Sequence, residues 1–237
     1  MFDKNVNRLV HTIVDAVNSE PETEPTKHSE EDVIRTDMPS TGFAPLDLAI
    51  KGLPSECFVA LAGSDDHSQW TFLDNLTIRL LLNNPDTIVF LHTIDDDLGV
   101  RIPRLCAAKF NYPSEYFQRA GYWLKHLDRL PARYCHFDEV YREAQAWLSN
   151  LLAQERLILA DVAGLSPQLP ALEMWVKSIR SKWPNRSLIV LGDNFHLYDI
   201  PGMEAGEAKV REISMYVNRL TTEHHCTILM PVQLEGL

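Results

Sequence analysis

The sequence predicts an α/β fold in which a parallel sheet of about five strands is covered by helices on both faces. Three observations support this prediction. Short apolar runs of strand length alternate with helical patterns from residue 39 onwards. The runs are apolar at consecutive positions, which is typical of strands buried on both faces. Pro184-Asn185 stands just before the fourth run, where a helix-to-strand loop is expected.

The apolar runs place the strands at Cys57–Ala62, Thr87–His92, Leu157–Ala160, Ser187–Leu191 and Thr227–Val232. The residues between the runs predict helices at about 44–51, 69–83, 98–110, 113–121, 137–153, 168–182 and 207–224. Asp95, Asp96 and Asp97 precede the third of these helices and are expected to cap its N-terminus. We expect residues 39–237 to form one domain.

The segment that precedes this domain has a different character. Residues 1–19 are predicted to form an amphipathic helix, and residues 20–38 a flexible acidic linker. Residues 20–37 contain seven acidic and two basic side chains, a net charge of −5. Because the linker separates the helix from the domain, the apolar stripe of the helix is expected to dock on its own domain, a neighbouring copy or another protein. The stripe consists of Phe2, Val6, Leu9, Val10, Ile13 and Val17.

Composition excludes several classes of function. The net charge of −11 argues against a general affinity for nucleic acid over the whole surface. No apolar run approaches the roughly 18 residues of a membrane span, and the N-terminus lacks the apolar stretch of a signal peptide. We therefore expect a cytoplasmic protein without a membrane partner. The four cysteines are too far apart for a metal pair and the histidines are scattered, so no metal site is predicted.

The stretch from Phe58 to Phe72 has the layout of a phosphate-binding loop: an apolar strand, a small polar loop and an amphipathic helix. A working loop ends in Gly for the last turn, Lys for the phosphate oxygens, and Ser or Thr for Mg²⁺. Ser68, Gln69 and Trp70 occupy those three places. The Thr71 hydroxyl is one residue out of register, and two aspartates in the loop add negative charge. Tight binding of ATP and Mg²⁺ is therefore not expected.

Several segments resemble a known family, and they follow the order found in that family. They are Thr41-Gly42-Phe43 with Asp47, Leu159–Pro167, Ile189–Leu197, and Glu212-Ile213-Ser214 with Thr227–Leu234. Together they resemble the C-terminal motor domain of the DnaB-type replicative helicases from about Thr36 to Leu234. The resemblance implies a RecA-like three-layer fold with a mostly parallel central sheet and, in this chain, a degenerate Walker A motif.

The resemblance also implies roles for individual residues. It places the family's catalytic Glu at Thr93, its Walker B Asp at Asp193 and its phosphate-sensing Gln at Gln233. A threonine cannot act as a base at neutral pH. The chain ends before the elements that carry the family's arginine finger, so the domain is expected to be C-terminally short. The N-terminal helix stands where the family has a helix that docks on the next subunit, which makes a homo-oligomer a candidate assembly.

These departures predict a vestigial nucleotide site without catalytic residues or a cofactor. Its residues are Gly63, Ser68, Gln69, Trp70, Thr71, Thr93, Asp193 and Gln233. The leading hypothesis is a pseudo-ATPase that serves as an interaction or scaffold component of a DNA replication, recombination or mobile-element complex. An active helicase is one candidate protein partner. An alternative is a divergent but active NTPase or helicase subunit that uses Thr71, Asp193 and Gln233.

A basic and aromatic segment provides another alternative. Residues 101–133 carry seven basic and two acidic side chains, a local charge of +5, interleaved with aromatic residues. Such a composition can bind single-stranded DNA through phosphate pairing and base stacking. It also fits a solvated helical face above core aromatics. The basic residues are Arg101, Arg104, Lys109, Arg119, Lys125, Arg129 and Arg133.

Overall fold

The computed structural model describes residues 38–63, 66–94, 97–161, 168–204 and 206–233, and the side chains of residues 66–68, 161 and 233 are outside this description. The predicted N-terminal helix and all but the last residue of the linker therefore lie outside the described residues. The same is true of two of the three predicted capping aspartates, Asp95 and Asp96.

The described residues form one parallel sheet of five strands, in the order β1-β5-β4-β2-β3. The strands are β1 (Phe58–Gly63), β2 (Thr87–Thr93), β3 (Leu157–Asp161), β4 (Ser187–Gly192) and β5 (Thr227–Gln233). Each predicted strand is confirmed to within one residue at either end. The α/β class is confirmed with them.

Eight α-helices lie among the described residues. They are α1 (Ala44–Ile50), α2 (Asp66–Asn83), α3 (Leu98–Phe110), α4 (Ser114–Gln118), α5 (Ala120–Trp123), α6 (Phe137–Ala153), α7 (Leu169–Lys182) and α8 (Glu207–Glu223). The prediction of a single helix at 113–121 is wrong. The chain breaks between α4 and α5 at Arg119, where the backbone leaves the helical region with φ −112° and ψ 30°. The predicted cap of α3 is confirmed at Asp97, whose side chain accepts a hydrogen bond from the Val100 backbone N–H.

Alternate residues of each strand face opposite layers, which explains why the runs are apolar throughout. Ile88 and Phe90 of β2 belong to a cluster with α7 and α8, whereas Val89 and Leu91 belong to a cluster with α2, α3 and α6. The sheet is therefore the middle layer of three. A third cluster, formed by α3, α4, α5 and α6, lies outside the layer of α2 and contains the buried Tyr116 and Phe117.

The segment before β1 is held by the carboxylate of Asp47. That carboxylate accepts hydrogen bonds from the side chain of Ser40, from the N–H and hydroxyl of Thr41, and from the N–H of Gly42. Burial raises the pKa of Asp47, but these hydrogen bonds outweigh that effect and the net shift is downward. Arg79 of α2 then donates to the Gly42 carbonyl oxygen at 2.6 Å, which ties the segment to the domain.

The order of the strands defines where a ligand would bind. The β1 to β2 connection passes the two positions that β5 and β4 later fill, and the chain then returns from β3 towards β1. Open α/β sheets bind ligands beyond the carboxyl ends of their strands, at the point where the strand order reverses. The carboxyl ends of β1, β5, β4 and β2 form that edge here.

Candidate functional site

Gln69, which the sequence predicts to stand where the family has its phosphate-binding lysine, lies in the first turn of α2 and is 4% exposed. Its side-chain amide nitrogen Nε2 lies 2.9 Å from the carbonyl oxygen of Val232, 3.2 Å from that of Leu61 and 3.4 Å from that of Gly63. Three carbonyl oxygens around one nitrogen identify it as the N–H₂ end of the amide. The side chain therefore lies back across the ends of β1 and β5 and joins them.

Gly63 makes this arrangement possible. A Cβ atom at Gly63 would lie 2.9 Å from Nε2 and 3.0 Å from Cγ of Gln69, which is too close for an ordinary contact. Gly63 also pairs in register with Gln233, so the structure brings these two predicted site residues to the same edge. The side chains of Ser68 and Gln233 lie outside the description.

Trp70, which the sequence predicts to stand where the family has its Mg²⁺-binding hydroxyl, contacts two arginines of α3. The guanidinium carbon of Arg101 lies 4.4 Å from the centroid of the Trp70 ring, and that of Arg104 lies 5.7 Å from it. Both arginines also reach Asp74 of α2: Nε of Arg101 is 3.0 Å from Oδ1, and Nε of Arg104 is 3.1 Å from Oδ2. The Arg101 side chain is only 2% exposed and that of Asp74 only 5%.

This cluster corrects the prediction for Arg101, which does not lie on an exposed basic surface. A buried guanidinium needs a countercharge because desolvation is costly, and Asp74 supplies it. The indole of Trp70 adds a cation–π contact. The Trp70 side chain thus packs α2 against α3.

Thr93 and Asp193 lie at the ends of the neighbouring strands β2 and β4, and both are buried. The hydroxyl of Thr93 donates to the carbonyl oxygen of Ala160 at 3.3 Å. Oδ2 of Asp193 accepts a hydrogen bond from the Ile94 N–H at 2.7 Å. Asp193, the predicted Walker B residue, therefore joins the carboxyl ends of β2 and β4. Thr71, by contrast, is exposed on α2.

A histidine that the sequence did not single out lies directly before Thr93. His92 is 1% exposed, and its Nδ1 lies 2.9 Å from the hydroxyl of Tyr198, whose ring stacks on the imidazole. Burial lowers the pKa of His92 to about 4, and burial likewise raises the pKa of Tyr198. The Tyr198 hydroxyl also passes close to Gly192, where a Cβ atom would lie 2.8 Å from it. His92 and Tyr198 thus form a neutral aromatic pair that packs next to Gly192, at the end of β4.

Only part of the basic and aromatic segment is at the surface. Arg119, Lys125, Arg129 and Arg133 are exposed, whereas Lys109 is half-buried. Of the aromatic residues there, Tyr122 is 46% exposed, and most of the others pack in the third hydrophobic cluster. This part of the structure agrees with a solvated face above core aromatics.

The described residues include one group of three metal-ligand types, Glu173, Glu223 and His224, whose ligand atoms lie within 4.8 Å of one another. Arg219 already pairs with both carboxylates, at 3.6 Å from Glu173 and 3.8 Å from Glu223. Tyr216 donates a further hydrogen bond to Glu173. The two carboxylates therefore share one guanidinium as their positive partner among the described residues. Separately, none of the described helices combines the length and hydrophobicity that a membrane span requires.

Comparison of structures identifies the fold as that of the ATPase domains of DnaB-like helicases. The solved ATPase domain of one such helicase superposes with a TM-score of 0.71 at 15% sequence identity, over 99% of this chain and 72% of that one. A DnaB-like replicative helicase, solved in a study of its interactions with primase, gives a TM-score of 0.69 at 15% identity. That match covers 97% of this chain and 56% of the other.

This likeness confirms at the level of the fold the resemblance predicted from the sequence. The chain thus has the RecA-like three-layer fold. No protein-family model and no curated protein sequence matches the chain.

Proposed function

We propose that this chain is a pseudo-ATPase, a helicase-like domain that acts through its surfaces as an interaction or scaffold component of a DNA replication, recombination or mobile-element complex. One observation carries the proposal. The side chain at the lysine position, Gln69, is buried and bonded to three strand carbonyl oxygens. Phosphoryl transfer depends on positioned positive charge. The Gln69 side chain is a neutral amide hydrogen-bonded to the strands, so it does not supply this positive charge.

The neighbouring positions support the same conclusion. Trp70 carries no oxygen for Mg²⁺ and is packed beneath Arg101 and Arg104. Both arginines reach the carboxylate of Asp74, which offsets part of their charge. Thr93 has no basic group, and its hydroxyl donates to a backbone carbonyl. Gln69, Trp70 and Thr93 therefore each contact other parts of the domain at positions where the resemblance predicts catalytic or ligand-binding groups.

Calorimetric titration with ATP and Mg²⁺ tests the proposal. We expect no saturable binding in the micromolar range, and a micromolar dissociation constant would overturn the proposal. The double variant Gln69→Lys/Trp70→Thr restores the two side chains that the loop lacks. If it binds ATP while the wild type does not, the fold is competent and the two substitutions account for the loss. Turnover that disappears in Asp193→Ala would instead support an active NTPase.

The scaffold role requires a protein partner. One structurally similar helicase is described together with its interactions with primase. For this chain we propose a partner that binds through the apolar stripe of residues 1–19. Co-purification from the native cell identifies the partner, and the mass in solution with and without residues 1–19 tests homo-oligomer formation. The variant Val10→Asp, which interrupts the stripe and keeps the chain length, is the matched control. Equal masses and equal partner recovery for all three proteins would contradict this role.

A second candidate function, binding of single-stranded DNA, is favoured by the exposed arginines and lysine around Tyr122. Four such cations would give a dependence of log K on log salt with a slope of about −3. Fluorescence anisotropy with a labelled oligonucleotide measures the slope. The triple variant Arg119→Glu/Arg129→Glu/Arg133→Glu should abolish binding. Binding that survives this variant would exclude the surface as the DNA site.

A further inference from the structure

Four exposed cations in the connection between α4 and α6 have no acidic partner in the described part of the chain. Arg119, Lys125, Arg129 and Arg133 are exposed, and none of them forms a salt bridge with another described residue. We call these four residues the basic surface. Every one of them lies in the connection between α4 and α6.

Contacts around Tyr122 hold part of the basic surface together. Nη1 of Arg129 donates to the Tyr122 hydroxyl at 3.2 Å, and the ring of His126 lies 4.5 Å from that of Tyr122. Arg119 and Tyr122 line the same shallow depression, whose volume is about 430 Å³. The guanidinium of Arg133 lies 4.6 Å above the ring of Tyr134, which itself packs on Tyr116. Three of the four cations, Arg119, Arg129 and Arg133, thus lie beside aromatic side chains.

The local charge balance is positive but moderate. Two exposed acids, Glu115 and Asp128, lie in the same stretch, so residues 114–133 carry a net charge of +2. In this stretch Tyr116 and Phe117 are buried and Trp123 is partly buried, so Tyr122 is the one exposed ring among these described residues. A flexible acidic chain needs only charge complementarity, whereas single-stranded nucleic acid also gains from exposed rings. The surface therefore fits an acidic polypeptide better than a nucleic acid.

The chain itself contains a matching segment. Residues 20–37 carry seven acidic and two basic side chains, and they end one residue before the described domain begins. Eighteen residues extend up to about 60 Å, whereas a domain of about 200 residues is roughly 40 Å across. The extended segment is thus longer than the domain is wide, so it can reach a large part of the surface of its own domain.

We propose that the acidic segment 20–37 docks on the basic surface of the same chain. Docking there neutralises the exposed cations and lowers the affinity of this side of the domain for other polyanions. Docking also brings the preceding apolar stripe of residues 1–19 close to this part of the domain surface. The inference does not depend on whether the nucleotide site binds ATP.

Zero-length carbodiimide cross-linking tests the proposal, because it joins an amine only to a carboxylate in contact with it. In the full-length protein at low salt, mass spectrometry should recover peptides that join Lys125 to acidic residues of segment 20–37. High salt should reduce these products at least several-fold because the charges are exposed and screened. Lys177, exposed on α7, is the matched control and should give no such product.

Charge reversal and isotope labelling complete the test. The Lys125 products should disappear in the triple variant Arg119→Glu/Arg129→Glu/Arg133→Glu. Adding Glu22→Lys/Glu24→Lys/Glu30→Lys to this variant should create the reversed products, which join the linker lysines to the new glutamates. Circular dichroism checks that the variants are folded. Lys125 products that are insensitive to salt and to charge reversal would overturn the proposal. Products joining a ¹⁵N-labelled chain to an unlabelled one would overturn docking within one chain.

Discussion

Replacing Arg101 by alanine should destabilise the domain strongly, because the change leaves Asp74 buried beside only one remaining arginine. Removing one partner of a buried ion pair typically costs about 3–5 kcal/mol. Loss of the cation–π contact with Trp70 adds about 1–2 kcal/mol where the groups are desolvated. Arg104 still reaches Asp74 at 3.1 Å and offsets part of the cost. We therefore expect a loss of about 4 kcal/mol in the free energy of unfolding.

Arg104→Ala is the matched control within the same cluster. The Arg104 side chain is 22% exposed and contacts the Asp74 carboxylate, as Arg101 does, but it lies farther from the Trp70 ring than Arg101. Water can replace part of the contact that Arg104 makes with Asp74, so we expect a loss of about 1 kcal/mol in the free energy of unfolding. The difference between the two variants isolates the effect of burial.

Urea denaturation followed by far-UV circular dichroism measures both changes, provided that the slope with denaturant stays constant. A loss of about 4 kcal/mol corresponds to a fall of roughly 8–16 °C in the melting temperature for a domain of this size. If Arg101→Ala costs no more than Arg104→Ala, the buried ion pair does not stabilise the domain.

Three further predictions concern the strand ends and the segment before β1. Gly63→Ala should cost about 1–2 kcal/mol in urea denaturation, because the new methyl group displaces Gln69, and most of this cost should vanish in a Gln69→Ala background. Asp47→Ala should cost about 2 kcal/mol by the same assay, because it leaves the N–H groups of Thr41 and Gly42 without their acceptor. Burial lowers the pKa of His92 from 6.5 to about 4. As the pH falls from 6.5 to 4, the unfolded chain therefore binds a proton that the folded chain does not, and about 3 kcal/mol of stability should be lost in a pH series of urea titrations.

Matched variants distinguish these specific effects from nonspecific destabilisation of the fold. His92→Gln should remove most of the pH dependence between about pH 6.5 and 4, whereas His136→Gln, at a side chain 74% exposed, should leave it unchanged. If the free energy of unfolding of the wild type did not change between about pH 6.5 and 4, His92 would not be a buried neutral side chain. For Gly63, an equal cost in both backgrounds would show that the methyl group does not act through Gln69. For Asp47, a loss below about 0.5 kcal/mol would mean that water replaces the carboxylate.

Most of the fold could be predicted from local pattern. The strand β2, buried at every position, shows why: a strand covered on both faces must be apolar on both, and that leaves a continuous run such as Ile88 to Leu91. The cap of α3 at Asp97 is equally local. The break at Arg119 could not be predicted, because it depends on how α4 and α5 pack their buried residues into a cluster built from distant helices.

The candidate site was only partly predictable. The replacement of the lysine by Gln69 is visible in the sequence, but its new partner Val232 lies 163 residues away. The sequence likewise placed Trp70 at the metal position without indicating that two arginines of α3 cover it. His92 carried no signal, since a single histidine in an apolar run has no motif that marks it.

The sequence by itself determined the order of strands and helices along the chain, and showed that the predicted phosphate loop has Gln69 in place of the lysine and Trp70 in place of the Mg²⁺-binding hydroxyl. These features depend on residue type and on spacing along the chain. Only the tertiary structure decided which charges are exposed and which are buried. Arg101 and Arg119 both read as basic residues of one segment, yet the first is buried on Trp70 and Asp74 and the second faces solvent. The environment of a charge is set by contacts between elements far apart in sequence, and spacing along one segment does not encode them.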